Sequence, residues 1–594
     1  MSRIKMNVYH TVYLGHGRIG DTLVIGRMGG VLPTAYGAAA VVSDVAGGTV
    51  VNYGQVIGAR GASYRDGSVG VLLSDGGRIS HSDTIRGGFG ANGTTYYGRG
   101  GNGGVGVDLA GGGVLDNRGT ISGGSGGYGH YDSGDGAIGV SLSNATGSNT
   151  GIISGGQGGS NYDGHGGNGA VGVQLQGGTF SNAGMIEGGG GGSAYYGGNG
   201  GAGVVVSDAT LTNNGVIVGG GGAYGGDGVS LSGGTLTNAG TITGGADYSG
   251  QAGYAINMAD ATLILDPGSV LNGEVLGAGN DNTLVLAAGG HDGTLRGLGS
   301  AFTGFGDVKV AAGASWDLDA TNSLAALSSL KVFGTLSVGG SLSDGGTATI
   351  GANGILNPGT SGAVLVDGVT MAGGRLTETA GGTLVIGTSF GNVVAGTLRI
   401  QPHASVIGKG TVTAPRLSIG GVLTAQGGTL AVHADIIGAG NATIDAGATL
   451  DAFGTLAVAS VVFAGASASL ALDKPTDATS TLSGFGAGDT IDLVRLLANG
   501  ESFENGTLSL TEGGSVVATL ALAGNYTSND FTLTSDGNGG TTIGFVGGPT
   551  PHDFGWQDAG ATRAFAEAGW AGGHMPVTED WVTPLHVPAH FAGW

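Results

Sequence analysis

Seven near-copies of one phrase constrain this chain more than any other feature. They read GGTVVNYGQVIG from Gly47, GGRISHSDTIRGG from Gly76, GGVLDNRGTISGG from Gly112 and NATGSNTGIISGG from Asn144. GGTFSNAGMIEGG from Gly177, DATLTNNGVIVGG from Asp208 and GGTLTNAGTITGG from Gly233 complete the set. Their central position holds Asn52, His81, Asn117, Asn149, Asn182, Asn213 and Asn238, recurring at a mean interval of 31 residues. A unit this short cannot bury an apolar face alone, so each must stack on the next.

A second phrase precedes each copy, as in SVGVLLSDGG, GVGVDLAGG and GDGVSLSGG. Each unit therefore carries three short segments, such as GVSL, GTLTN and GTIT, in which apolar residues alternate with polar ones. Alternation is the period of a half-buried strand, and no helical period competes with it. Three strands per unit predict an all-β parallel β-helix (β-solenoid) whose coils rise about 4.8 Å each. The asparagines fall at the corner between second and third strands. There an amide can bond to nearby backbone or to the asparagine one coil away, so Asn52, Asn117, Asn149, Asn182, Asn213 and Asn238 are expected as a structural ladder.

From about Asp260 the units shorten to about 20 residues. The expected organisation is an N-terminal cap (1–39), a β-helix with long Gly/Tyr-rich loops (40–259) and a tighter β-solenoid (260–481). A small C-terminal β-module (482–545) and an irregular aromatic and His-rich tail (546–594) follow.

Composition fits this reading. There are 137 glycines, yet 40% of residues are hydrophobic, so the chain is too apolar for a disordered linker, and no collagen-like period of three stands out. The net charge of −22 argues against nucleic acid as partner, and the lack of cysteine removes disulfides and thiolate sites. The N-terminus shows no apolar core of a secretory signal, and no run approaches the roughly 18 apolar residues of a membrane helix.

The segment GTLRGLGSAFTGFGDVKVAAGASWDL, Gly293 to Leu318, resembles the recurring segment of autotransporter passenger domains in Gram-negative bacteria. The GGTLTNAGTITGG copies are similar to repeats of autotransporter and filamentous-haemagglutinin-like adhesins. The resemblance covers roughly residues 40 to 475. It implies a right-handed β-helix, secreted or displayed on a bacterial cell surface or outer membrane, that adheres to cells, matrix or biofilm. Such proteins end in an outer-membrane barrel, whereas GFGAGDTIDL and residues 482–545 resemble the Gly/Asp-rich modules of substrates exported by a type I route. Export machinery is thus an expected partner.

Function is expected on the loops that follow each copy. They carry Tyr96, Tyr97, Tyr128, Tyr131, Tyr162, Tyr195, Tyr196, Tyr224 and Tyr248 among glycines. A tyrosine offers flat apolar area with a polar tip, and stacking would align these along one edge to grip a surface or matrix glycan. The bland alternative is that the rings stack on one another and hold the loops down. No catalytic residues are assigned. The competing functions are a polysaccharide-active enzyme and a self-associating fibre subunit.

Calcium is the one cofactor alternative. GAGNDNTLVL, Gly277 to Leu286, half matches a calcium-binding nonapeptide, and Asp132, Asp135, Asp163 and Asp227 could add oxygens. Arg60, Arg65, Arg86 and Arg99 are read as offsetting charge. In the tail, His586 and His590 sit four apart around Pro588, which argues against a helical zinc site. Packing on the last coil or recognition by an export machine is the expected role of the tail.

Overall fold

A computed structural model describes residues 1–547 except 17–18, 94–97, 280, 326–327, 351–353, 358–362, 372–374, 378–382, 395–396, 401 and 403–404. Residues 548–594, with the histidines and tryptophans of the tail, lie outside the described residues, as do Tyr96 and Tyr97.

The coil that contains GGTLTNAGTITGG shows how the phrase folds. Val229–Ser232, Thr235–Asn238 and Thr241–Thr243 are its three strands. Leu236 and Ile242 point inward and are fully buried, while Thr235, Thr237, Thr241 and Thr243 face outward. Each strand pairs in parallel with its counterparts one coil before and after. Leu236 lies opposite Leu211 and Leu263, and Ile242 opposite Ile217 and Leu271. Most inward rows are therefore columns of apolar side chains, and these columns form the core.

The third strands form one ten-stranded parallel sheet from Asn7–Val8 to Val270–Asn272. First and second strands share a larger sheet, joined where Val140–Asn149 and Val173–Asn182 run unbroken through the corner. That corner needs a left-handed residue. Gly177 and Gly233 supply it with φ of 67°, and Asn144, Asp208 and Asp260 supply it elsewhere with φ near 50°. Asn and Asp tolerate this conformation better than other residues with a side chain, which explains why GGT alternates with NAT and DAT.

The ladder starts within the first 39 residues. Ser2–Ile4 pairs with Thr22–Ile25, which pairs with Thr49–Asn52. The segment read as a cap thus carries coil strands of its own. Beyond Val270–Asn272 the third sheet stops and the coils tighten, Leu284 lying opposite Val308 and Val308 opposite Leu330. Thr490–Leu493 then takes an antiparallel neighbour, Thr541–Phe545. Antiparallel strands Gly500–Glu504, Thr507–Glu512 and Ser515–Ala523 follow the same change. GFGAGDTIDL turns here: Phe485 packs 5.2 Å from Phe463, and the buried Asp489 carboxylate accepts from the backbone N–H of Gly486 and Ala468. The architecture is all-β with long parallel sheets, consistent with a β-solenoid. Among the described residues no helix is long and apolar enough to cross a membrane.

Candidate binding edge

The glycine-rich stretches differ from the loops the sequence suggests. After each third strand the chain runs outward, reverses and returns, and both legs are hydrogen-bonded with a three-residue period. Gly87, Gly90 and Gly93 donate to Ser122, Ser125 and Tyr128, one coil on. Gly88 and Ala91 donate instead to Ser68 and Arg65 on a returning leg. Gly100, Gly103 and Gly106 donate to Asp132, Asp135 and Ile138, and Gly101 and Gly104 to Ala91 and Gly88. Three residues per turn is the period of polyproline II, which has no internal hydrogen bonds and needs outside partners. Here each leg finds them in its neighbours.

Close packing explains the glycines. A Cβ on Gly87 would run into the Gly104 carbonyl, and one on Gly123 into that of Ala137. Neither glycine has a positive φ, so it is space rather than backbone freedom that requires them. The chain as a whole shows no period of three, but these legs do, and GGSGGYG carries it openly.

The third position of each turn faces away from both neighbours. On the returning legs it holds Asp66, Asn102, Asp135, Asn168 and Asn199. The side-chain oxygen of each accepts the backbone N–H of the next, at 2.6–2.9 Å. The signal for this exposed ladder in the sequence is an Asn or Asp five residues before Val71, Val107, Val140, Val173 and Val204.

The tyrosines cluster where the legs reverse. Tyr162 is 87% exposed, Tyr195 75% and Tyr224 74%, and Tyr131, Tyr196 and Tyr248 are also exposed, with Tyr128 at the margin of exposure. The tips are tied together: Asp132, His165 and Tyr196 pair coil to coil, and the His165 and Tyr196 rings stack at 4.8 Å. Tyr195 meets Tyr196 edge-on at 4.9 Å. Tyr162 and Tyr224 make no ring contact among the described residues. The edge also continues toward the N-terminus through Tyr36 and Tyr64, which line one depression with Arg65. Their coils lack the GGX run that marks the later tips.

The asparagines lie elsewhere. All six are fully buried at the corner. From Asn117 through Asn149, Asn182 and Asn213 to Asn238, each Nδ2 donates to the next Oδ1 at 2.7–2.8 Å. Each Oδ1 in that run from Asn117 to Asn213 also accepts the N–H of the glycine two residues on. His81 replaces one rung. Its Nδ1 accepts from Asn52 Nδ2 at 3.0 Å while Nε2 donates to the Thr120 carbonyl at 3.2 Å, which requires a neutral ring. Burial pushes the His81 pKa down to about 4. Its neutral form is favoured by folding, so its stabilising contribution is full above about pH 6.5 and is lost as pH falls toward 4. Denaturant midpoints measured near neutral pH and near pH 4.5 should drop more for the parent than for His81→Asn, which has no proton to gain.

Three of the four carboxylates considered for calcium, all but Asp163, are engaged otherwise. Asp132 pairs with Arg99 at 3.1 Å, Asp135 accepts from the Asn168 N–H, and Asp227 accepts from Asn257 Nδ2. Among the described residues no three His, Asp or Glu side chains converge as metal ligands.

Together these features define a class: a repeat protein of stacked parallel coils with a hydrogen-bonded glycine flank that presents aromatic tips. No protein-family model matches the chain, and no curated protein does.

Proposed function

We propose that this chain is a non-enzymatic bacterial adhesin-like protein, exported or displayed at the cell surface, that binds glycans or matrix through its tyrosine-bearing edge. The observation that carries this is the row of exposed tyrosines on backbone fixed by neighbouring coils. A ring held on an ordered support loses little entropy on binding, and an aligned row suits an extended ligand better than a single pocket does. The similarity of the repeats to autotransporter and haemagglutinin-like adhesins supports the same reading. Right-handed coiling is part of the proposal, because crossovers between parallel strands of one sheet are right-handed in about 98% of cases.

The test is binding by the full chain to immobilised glycans and matrix. Replacing Tyr162, Tyr195, Tyr224 and Tyr248 with Ala should weaken binding by roughly a hundredfold or more, since each aromatic contact is worth about 1 kcal/mol. The β-rich circular dichroism should not change. Undiminished binding by the variant would overturn the reading.

A further inference from the structure

A second site lies on the same flank but among the first coils. Third strands end in an outward row running Ile57, Arg86, Ser122, Ser154, Glu187, Val218, Thr243 and Asn272, each opposite the next. Arg86 is the only cation in it. The first outward position of each departing leg runs Arg60, Phe89, Ser125, Gln157 and then Gly190 and Gly221. Small or neutral side chains satisfy both rows in most coils. The coils near residues 57–89 depart from that pattern, and their departures converge on one place.

That place is an open recess of about 180 Å³, lined by Leu32, Pro33, Ile57, Arg60, Arg86 and Phe89. At roughly 30 Å³ per water it has room for a group the size of one sugar ring. The Arg86 guanidinium stacks on the Phe89 ring at 4.2 Å. Its Nε–H is buried without an acceptor, and neither Arg60 nor Arg86 pairs with a carboxylate among the described residues. Among the described residues, of the four arginines read as offsetting charge, only Arg99 does so by a direct pair. Burial also presses the Arg86 pKa downward, so the unpaired charge is held at a cost that an anion would relieve.

Charge along the chain narrows the ligand. Residues 1–118 hold ten of the twenty Lys and Arg against seven Asp, whereas no Lys or Arg lies between Arg118 and Arg296, a stretch with twelve Asp and Glu. That acidic neighbourhood repels a dense polyanion and leaves the arginine end open to a single carboxylate. Two guanidiniums match a carboxylate by paired N–H donors, and an aromatic face with apolar walls suits the C–H face of a sugar ring.

We propose that this recess binds a carboxylate-bearing sugar, a uronic acid unit, between Arg60 and Arg86 with its ring against Phe89. The site is separate from the tyrosine tips and does not depend on them. Titration calorimetry of the full chain with galacturonate, galactose, acetate and inorganic phosphate tests it. Galacturonate should bind, and galactose should bind at least roughly tenfold more weakly for want of the charged hydrogen bonds. Arg86→Gln and the exposed Arg60→Gln should each weaken galacturonate by a similar factor, while Tyr162→Ala should leave it unchanged. Arg60 lies on the surface, so its variant reports on binding even if Arg86→Gln disturbs the coil. Equal binding of galactose, an unaffected Arg60→Gln, or acetate or phosphate binding as tightly as galacturonate would each overturn the assignment.

Discussion

Gly220→Ala is expected to destabilise its coil by about 3 kcal/mol, while Gly221→Ala changes stability by less than about 0.5 kcal/mol. The two glycines are neighbours in one run, Gly219 to Gly222. Gly220 donates to the Gly201 carbonyl at 2.8 Å, and a Cβ there would collide with the Gly189 carbonyl of the preceding coil. That carbonyl is itself bonded to Gly201, so it cannot yield without breaking the lattice. Gly221 faces outward, where a Cβ meets only the Ala246 carbonyl, at 3.1 Å. The slight crowding is offset by the smaller unfolded-state entropy of alanine. Repeat proteins open locally, so the comparison is made from amide exchange across residues 188–228 rather than from one global midpoint. Equal effects of the two substitutions would count against an ordered glycine flank.

Asn213→Ala is expected to cost about 3 kcal/mol or more, because it strands several buried groups at once. Asn213 accepts from Asn182 Nδ2 and from the Gly215 N–H, and donates to Asn238 Oδ1. All three asparagines are completely buried, so no water replaces the lost partners. Asn168 offers the contrast. Its side chain also accepts a bond from the next coil, the Asn199 N–H at 2.9 Å, but at the exposed surface. Asn168→Ala should cost less than about 1 kcal/mol, since solvent takes over the freed N–H. Exchange rates of the amides at Gly215 and Asn199 report the two substitutions separately. A loss at Asn168 as large as that at Asn213 would remove the distinction drawn between the two ladders.

These two positions also show what could be read in the sequence. The buried asparagines were legible because they sit at a fixed place in a repeated phrase, followed by a glycine, and a strand corner admits few other residues. The core columns were legible for a similar reason, since alternation alone puts Leu236 and Ile242 inside. The glycine legs were not. A run such as GGGGGSAYYGGNGG gives no sign of which glycine is covered, because that depends on legs brought alongside from other coils. The Arg60–Arg86–Phe89 recess was hidden for the same reason: its lining comes from three successive coils and belongs to different rows. The tyrosines could be named from sequence, but the fixed backbone beneath them could not.

The glycine-rich flank is a hydrogen-bonded lattice and not a set of mobile loops, so the tyrosines it carries are held in place. Amide hydrogen exchange on the full chain tests this most directly. Gly104, Gly124, Gly156, Gly189 and Gly220 should exchange as slowly as the core-strand amides of Ile121, Ile153 and Ile186. Exchange of those glycines at the rate of an unstructured peptide, with the strands protected, would contradict it.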